Sequence, residues 1–138
     1  KDFDTATPIF KGLVLAYPKL AGAYVNLALI EGQKDNSSEA LAYYEKALDV
    51  NSENIDALIQ LANHYQSKGD FLKTKGLLLR ALDIEAGHTM VNYNLGVLFE
   101  LYLQDYDRAI DHYKVYVATS GSEDVKTVER WIKMLERK

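Results

Sequence analysis

Residues 55–71 read IDALIQLANHYQSKGDF, and this stretch decides the fold. Its apolar residues recur at i, i+3, i+4 and i+7, the spacing of one helical face: Leu58, Leu61, Ala62 and Tyr65. Gly69 then suits the left-handed conformation that ends a helix, and Asp70 is a good N-cap for the next one. The stretch therefore predicts a helix, a tight turn and a second helix lying antiparallel to the first.

The same pattern recurs along the chain every 34 residues, with a last step of 35. Three series of positions keep this period: Ala6, Ala40, Thr74 and Ala109; Phe10, Tyr44, Leu78 and Tyr113; Leu13, Ala47, Ala81 and Tyr116. A helical pattern with a fixed period of this size is typical of a solenoid, in which neighbouring repeats supply one another's core. The functional question therefore concerns the surface that the array offers.

Short signals mark the start of each second helix, and apolar positions align the first helices. The start signals are Asp2-Phe3, Asn36-Ser37, Asp70-Phe71 and Asp105-Tyr106. The aligned positions of the first helices are Leu27, Leu61 and Leu95, followed by Ala28, Ala62 and Gly96. On the second helix of the middle repeat, Ala81 is small where two helices must approach closely.

Together these features resemble the tetratricopeptide repeat family. The residues that carry the resemblance are Tyr24 and Leu58, the Leu-Ala and Leu-Gly pairs, Tyr65 and Phe99, Gly69-Asp70-Phe71, and Ala47 and Ala81. Only Pro18 stands at the family's terminal proline position, where Ser52, Ala86 and Gly121 replace it elsewhere. The resemblance implies an all-α, right-handed superhelical array of antiparallel helix pairs, with about 3.5 repeats and a C-terminal capping helix.

This pattern predicts a single domain made of consecutive units. They are a half repeat (1–20), three repeats (21–54, 55–88 and 89–122) and a capping helix (123–138). The half repeat contributes one orphan second helix, about Phe3 to Ala16. The capping helix, about Glu123 to Arg137, has one apolar stripe with Trp131 beside it: Val125, Val128, Ile132 and Leu135.

Two repeats depart from the pattern. In the third, one extra residue lies between Phe99 and Asp105, and Tyr116 replaces a small residue. Two interpretations stay open: a packing slot that widens where the array ends, or a protein-contact surface built from Tyr102, Tyr106 and Tyr116. In the first full repeat, Glu31 stands at the usual aromatic position, and Asp35-Asn36-Ser37 replaces Gly-Asp-aromatic.

The family resemblance implies a concave groove, lined by the first helices, that binds an extended or helical peptide. Phase along the helices places a set of side chains there: Val25, Asn26, Leu29, Gln33, Ile59, Gln60, Asn63, Gln66, Tyr93, Asn94, Val97 and Glu100. Asn26, Gln60 and Asn94 share one repeat position, and amides can both donate to and accept from a peptide backbone. The alternative is that Asn26 and Asn94 bond the neighbouring helix and that Gln60 is merely solvated.

Other chemistries find little support in the sequence. The groove positions carry no Lys or Arg, which argues against a clamp for a terminal carboxylate. The net charge is −4, and no basic face clusters as a nucleic-acid site requires. Cysteine is absent and no metal motif appears. The three histidines are interpreted as surface or helix-edge residues: His64, His88 and His112.

We therefore expect a non-enzymatic scaffold for a protein or peptide ligand, with no cofactor, no nucleic-acid partner and no direct membrane insertion. Two alternatives stay open: a self-associating assembly module, or the regulatory or targeting part of a larger protein. The chain starts at Lys1, which favours a piece of a longer protein. A bacterial source and the periplasmic side of the cell envelope are favoured, with the cytoplasm left open.

Overall fold

The computed structural model describes residues 2–138, so Lys1, the first residue of the predicted half repeat, lies outside the described residues. Over this range the chain forms eight α-helices and one π-helical turn, with no β-strand. The described residues divide into two compact units, 2–64 and 65–138. The predicted all-α fold is confirmed, while the superhelical twist and the repeat boundaries stay predictions.

The first unit contains three complete helices and most of a fourth. They are α1 (Phe3–Ala16), α2 (Ala21–Gln33), α3 (Ser37–Val50) and α4 (Ile55–Ser67), whose last turn belongs to the second unit. A three-residue connection makes α2 and α3 antiparallel neighbours. The most deeply buried side chains of this unit come from these helices: Leu27, Ala28, Ala47, Ala57 and Leu58.

The second unit begins with the end of α4 and continues to the C-terminus. It contains α5 (Phe71–Ile84), α6 (Thr89–Val97), the π-helical turn Leu98–Tyr102, α7 (Tyr106–Thr119) and α8 (Val125–Leu135). The four predicted start signals are confirmed, because α1, α3, α5 and α7 begin at the second residue of each pair. The caps of three of these helices also work as expected: the carboxylates of Asp2, Asp70 and Asp105 accept from backbone N–H groups of Thr5, Lys73 and Arg108.

Each turn from a first helix to a second contains one residue in the left-handed conformation. These residues are Asp35 (φ 62°), Gly69 (φ 78°) and Gln104 (φ 53°). Only one of the three is a glycine, although the conformation costs other residues roughly 1–2 kcal/mol. The packing of the two helices therefore imposes the turn geometry even where the glycine of the repeat pattern is lost.

The π-helical turn absorbs the extra residue of the third repeat. The Leu103 N–H donates to the Leu98 carbonyl at 3.0 Å, a span of five residues, as a π-helix requires. The Asp105 N–H then donates to the Phe99 carbonyl at 2.9 Å, a span of six residues. The equivalent bonds of the other turns span five residues: Asn36 to Glu31 and Asp70 to Tyr65. The insertion is thus taken up inside the first helix and leaves the start of α7 unchanged.

Gly96 is the point of closest approach between α6 and α7. A Cβ atom added there would lie 2.5 Å from two ring carbons of Tyr113. The tyrosine ring is almost fully buried, and its hydroxyl donates to Glu100 Oε2 at 2.7 Å. Ala28 and Ala62 occupy the same repeat position, so the third repeat needs glycine for space that the others do not require.

The predicted apolar stripe of the last helix is confirmed for three of its four residues. Val128, Ile132 and Leu135 are buried, and α8 packs against α7. The Trp131 ring lies 5.9 Å from the Tyr113 ring, centroid to centroid. The helix is two residues shorter at each end than predicted.

Candidate functional site

The first unit contains a small cavity between α2 and α4, of about 220 Å³. It is lined by Gly22, Val25, Asn26, Leu29, Asn54, Asp56 and Gln60. Four of these were predicted as groove residues: Val25, Asn26, Leu29 and Gln60. The structure therefore brings together, within one unit, side chains that the sequence placed on two separate first helices.

Several predicted groove residues of this unit are either buried in the core or lie outside that cavity. Ile59 is 8% exposed, and Val25, although it lines the cavity, is only 7% exposed. Both side chains therefore belong mainly to the core. Asn63 and Gln33 are exposed, and neither lines the cavity.

The amides at the shared repeat position are unpaired within the part of the chain that the structure describes. Across residues 2–138, the side chains of Asn26, Gln60 and Asn94 take part in no hydrogen bond. Asn26 is exposed, and Gln60 and Asn94 are half-buried. Each amide therefore keeps its donors and its acceptor available to a ligand.

Asn54 also lines this cavity but has a structural role. Its Oδ1 accepts from the Ala57 N–H at 2.9 Å and so caps the first turn of α4. Sequence reasoning missed this residue, although an asparagine directly before an apolar helical run is a recognisable cap signal.

The second unit contains a larger cavity, of about 490 Å³, between the start of α6, the end of α7 and α8. Its lining is mainly aromatic and apolar, with a hydroxyl-bearing rim: Met90, Tyr93, Tyr116, Ser120, Ser122, Asp124, Thr127, Val128 and Trp131. Tyr93 is the only predicted groove residue among them. Asn94 and Val97 are half-buried and lie outside this cavity.

Two sequence signals pointed toward this cavity without locating it. Tyr116 was noted as a large residue where Ala47 and Ala81 stand, and Trp131 as the residue beside the apolar stripe of the last helix. The rings of Tyr93 and Tyr116 lie 5.1 Å apart, centroid to centroid, and are tilted by 52°. The Tyr116 side chain, which is larger than the alanines at the equivalent positions, thus forms part of a cavity wall.

The three tyrosines that were considered as a contact surface lie in three different environments. Tyr116 is buried at the cavity just described. The Tyr102 ring stacks on Phe71, with 4.4 Å between centroids. Tyr106 lies under the ammonium group of Lys138, which is 4.8 Å from its ring. No ring contact joins these three tyrosines within residues 2–138.

His112 is a packed residue, so its interpretation as a surface or helix-edge histidine is wrong. It is half-buried, and its ring stacks parallel to that of Phe99 at 5.6 Å. Its Nδ1 lies 3.0 Å from Asn92 Oδ1. Asn92 Nδ2 already donates to the carbonyls of Ala86 and His88, so the oxygen must accept and His112 Nδ1 carries the proton.

Burial lowers the pKa of His112 from its ordinary value, because the charged ring would lose solvation. The nearby Asp111 carboxylate opposes this shift in pKa, while Arg108 adds to it. His88 has a different role: its Nδ1 accepts from the Val91 N–H at 3.3 Å and caps α6. A sequence signal for the network existed, because Asn92 is polar where Tyr24 and Leu58 are large and mostly apolar.

The first unit contains its own buried polar cluster, at Glu31. This residue is 6% exposed, and its carboxylate accepts from Asn36 Nδ2 at 2.7 Å. Lys34 Nζ lies 3.8 Å from the other carboxylate oxygen. The Asn36 hydrogen bond is the main reason that the pKa of Glu31 is lowered. Asn36 consequently makes no side-chain cap for α3, unlike the aspartates at the equivalent positions.

The outer side of α1 is the most apolar exposed helix face of the first unit. None of its residues is fully buried, and Ile9 and Leu15 are 57% and 83% exposed. Tyr17, just after the helix, is also largely exposed. Self-association through this half repeat stays a prediction.

The composition of the cavity linings and the lengths of the helices restrict what the described residues can bind. Neither cavity described above is lined by Lys or Arg. No group of three or more His, Asp or Glu side chains is arranged to hold a metal ion in residues 2–138. Within the same range, every helix is too short or too polar to cross a bilayer.

Comparisons with known proteins support the fold. A family model described as tetratricopeptide repeat matches residues 21–54. A tetratricopeptide repeat protein from Parabacteroides merdae superposes with a TM-score of 0.76 at 21% identity, over 92% of this chain and 51% of that protein. The chain thus spans about half the length of that protein.

Two further solved structures have the same fold. The first tetratricopeptide domain of Spaghetti (RPAP3), bound to the HSP90 peptide SRMEEVD, gives a TM-score of 0.74 at 16% identity, over 86% of this chain and 94% of that one. MamA gives 0.70 at 19% identity, over 85% and 68%. The predicted resemblance to tetratricopeptide repeats is confirmed.

Proposed function

We propose that this chain is a non-enzymatic tetratricopeptide scaffold that binds a peptide or partner helix through the amides of its first helices. The proposal rests on the hydrogen bonding of Asn26, Gln60 and Asn94. They recur at one repeat position, and none has a hydrogen-bond partner among the described residues. Each unpaired amide can both donate to and accept from the N–H and C=O groups of a peptide backbone.

The surroundings of Asn26 and Gln60 support this role. Both amides line the first-unit cavity beside Leu29, which is half-buried. A polar group that fixes orientation, next to apolar surface that excludes water, is the usual composition of a binding site. One solved structure of this fold holds a peptide, the RPAP3 domain with its HSP90 peptide.

The lining also favours a ligand class. Without Lys or Arg on either cavity, charge-assisted bonds to a ligand carboxylate are not available there. The acidic side chains at the two cavities, Asp56 and Asp124, would instead repel an anionic peptide. We therefore expect a neutral or basic partner segment.

The test is a partner capture from the source cell with the full chain and two double variants. Asn26→Ala with Asn94→Ala removes one amide from each unit. Two neutral hydrogen bonds of about 1 kcal/mol each correspond to roughly 30-fold in affinity, so capture should fall by about that factor.

The matched control replaces Glu45 and Asp83 by alanine. Both are exposed on second helices, one in each unit, and line neither cavity described above. Circular dichroism should show equal helicity for all three proteins. Capture that survives the Asn26/Asn94 change, or that falls equally with the control, would refute the role of these amides.

A further inference from the structure

We propose that the aromatic cavity of the second unit binds an arginine side chain of the partner segment. This inference rests on the proposed function and specifies its ligand at a separate cavity. The cavity is the one lined by Tyr93, Tyr116, Trp131 and Asp124, together with Met90, Val128 and the hydroxyl-bearing rim.

The charge of the cavity lining favours a cationic ligand. Apart from its tyrosines, Asp124 is the only ionisable residue among those that line the cavity. It stands at the N-cap position of α8, yet its side chain caps no backbone N–H; its carbonyl accepts from Thr127 and Val128 instead. Within residues 2–138 its carboxylate forms no ion pair. A carboxylate without an ion-pair partner beside an apolar cavity favours a cationic ligand.

The aromatic walls of the cavity also favour a cation. Tyr93, Tyr116 and Trp131 present aromatic rings, whose faces attract cations. Elsewhere in this unit aromatic rings hold cations of the chain itself: Lys73 over Tyr65, Arg108 over Phe99 and Lys138 over Tyr106. No such contact involves the three cavity rings anywhere in the described part of the chain.

The shape and weak hydration of the guanidinium group favour arginine over lysine. A guanidinium group is planar, stacks on aromatic rings and is more weakly hydrated than an ammonium group. It can also donate two parallel hydrogen bonds to one carboxylate, here that of Asp124. The three methylene groups of its stem would contact Met90 and Val128, and a cavity of about 490 Å³ is large enough for the whole side chain.

The test uses acetylated and amidated Gly-Gly-Xaa-Gly-Gly peptides, in which Xaa is arginine, lysine, citrulline or norleucine. Citrulline keeps the shape of arginine without its charge, and norleucine keeps only an apolar stem. Trp131 is the only tryptophan of the chain, so its indole N–H resonance and its fluorescence report directly on this cavity. We expect the arginine peptide to bind about tenfold more tightly than the citrulline and norleucine peptides.

Two variants with equal change in net charge locate the contact. Asp124→Asn should weaken binding of the arginine peptide about tenfold, because the charged acceptor is lost. Glu123→Gln removes the adjacent exposed carboxylate, which does not line the cavity, and should change binding less than about twofold, as an exposed charge outside the contact does.

Three outcomes overturn the proposal. They are citrulline or norleucine binding as tightly as arginine, lysine binding as tightly as arginine, and equal effects of the Asp124 and Glu123 variants. None of these outcomes bears on the Asn26/Asn94 capture experiment. A failure of the arginine cavity is thus distinguishable from a failure of the scaffold function.

Discussion

The two cavities lie at equivalent positions of the repeat in the two units, but they differ in size and chemistry. Gly22 and Val25 in the first unit correspond to Met90 and Tyr93, two 34-residue steps later. The first cavity measures about 220 Å³ and presents amides, whereas the second measures about 490 Å³ and presents aromatic rings. Equivalent positions of the repeat thus form two cavities with different linings.

The packing behind the two cavities differs as well. The first unit has alanine at position 28, whereas the equivalent Gly96 of the second unit has no room for a Cβ atom beside the Tyr113 ring. The second unit also contains the π-helical turn and the hydroxyl bond from Tyr113 to Glu100. The third repeat is therefore expected to be less tolerant of a larger residue at position 96.

The largest expected effect is that of Gly96→Ala. The added methyl group would meet the Tyr113 ring at 2.5 Å, and the ring cannot retreat because it is buried between Gly96 and Trp131. We expect a loss of about 2–3 kcal/mol in the free energy of unfolding, measured by urea denaturation. Gly76→Ala is the control, since Gly76 lies exposed in α5 with nothing near its Cβ position.

The control should gain up to about 1 kcal/mol, because alanine favours the helix. If Gly96→Ala is as stable as the unmodified chain, the close approach of α6 and α7 is not real. The comparison between the two units would then lose its main structural difference.

Much of this architecture could be predicted from the sequence, because the repeat encodes it several times. The helix pairs, the starts of α1, α3, α5 and α7 and the bounds of α1 follow from periodic apolar residues and aspartate caps. The π-helical turn could not be predicted, since one inserted residue can be accommodated in a turn or inside a helix. The backbone hydrogen bond from the Leu103 N–H to the Leu98 carbonyl shows that the helix accommodates it.

The candidate site was less predictable than the fold. Phase along the helices selected Asn26 and Gln60, which do line one cavity. It could not find Trp131 or Asp124, because these residues belong to the capping helix and its start, outside the repeat pattern. Nor could it show that Asn92 and His112 pair, since their contact joins two helices of the third repeat.

A smaller loss of stability is expected when the tyrosine hydroxyl is removed at the repeat position shared by Tyr44 and Tyr113. Tyr113→Phe removes the bond to Glu100 and leaves a half-buried carboxylate without that donor, which should cost about 1–2 kcal/mol. Tyr44 is the equivalent residue of the first unit, and its hydroxyl makes no hydrogen bond within the described residues. Tyr44→Phe should therefore change the stability by less than about 0.5 kcal/mol.

Urea denaturation of both variants gives the comparison directly. Equal losses for the two tyrosines would contradict the special role of Glu100 in the third repeat. The burial of each ring, which raises both tyrosine pKa values, is common to the two positions and does not separate them.

The smallest effect expected is a difference in acid sensitivity between the units. The folded-state pKa of His112 lies below its ordinary value of 6.5, so the unfolded chain takes up the proton first. The stability contributed by neutral His112 is present above pH 6.5 and is lost as the pH falls from 6.5 through the lower folded-state pKa. The pKa of Glu31 is also lowered, from 4.5, so its contribution is lost only as the pH falls below that value.

Unfolding midpoints measured from pH 7 to pH 3 test this order. His112→Gln should flatten the curve in the window below pH 6.5, and Glu31→Gln should flatten it below pH 4.5. A His112→Gln protein that keeps the full loss of stability below pH 6.5 would contradict the proposed effect of burial on this histidine.

The most direct measurement of the central claim is the NMR spectrum of the side-chain amides as the captured partner is added. The NH₂ resonances of Asn26, Gln60 and Asn94 should shift, since these amides have no hydrogen-bond partner among residues 2–138. The resonances of Asn36 and Asn92, which already bond Glu31 and His112, should stay in place. A partner that shifts Asn36 and Asn92 while leaving Asn26, Gln60 and Asn94 unchanged would contradict the account.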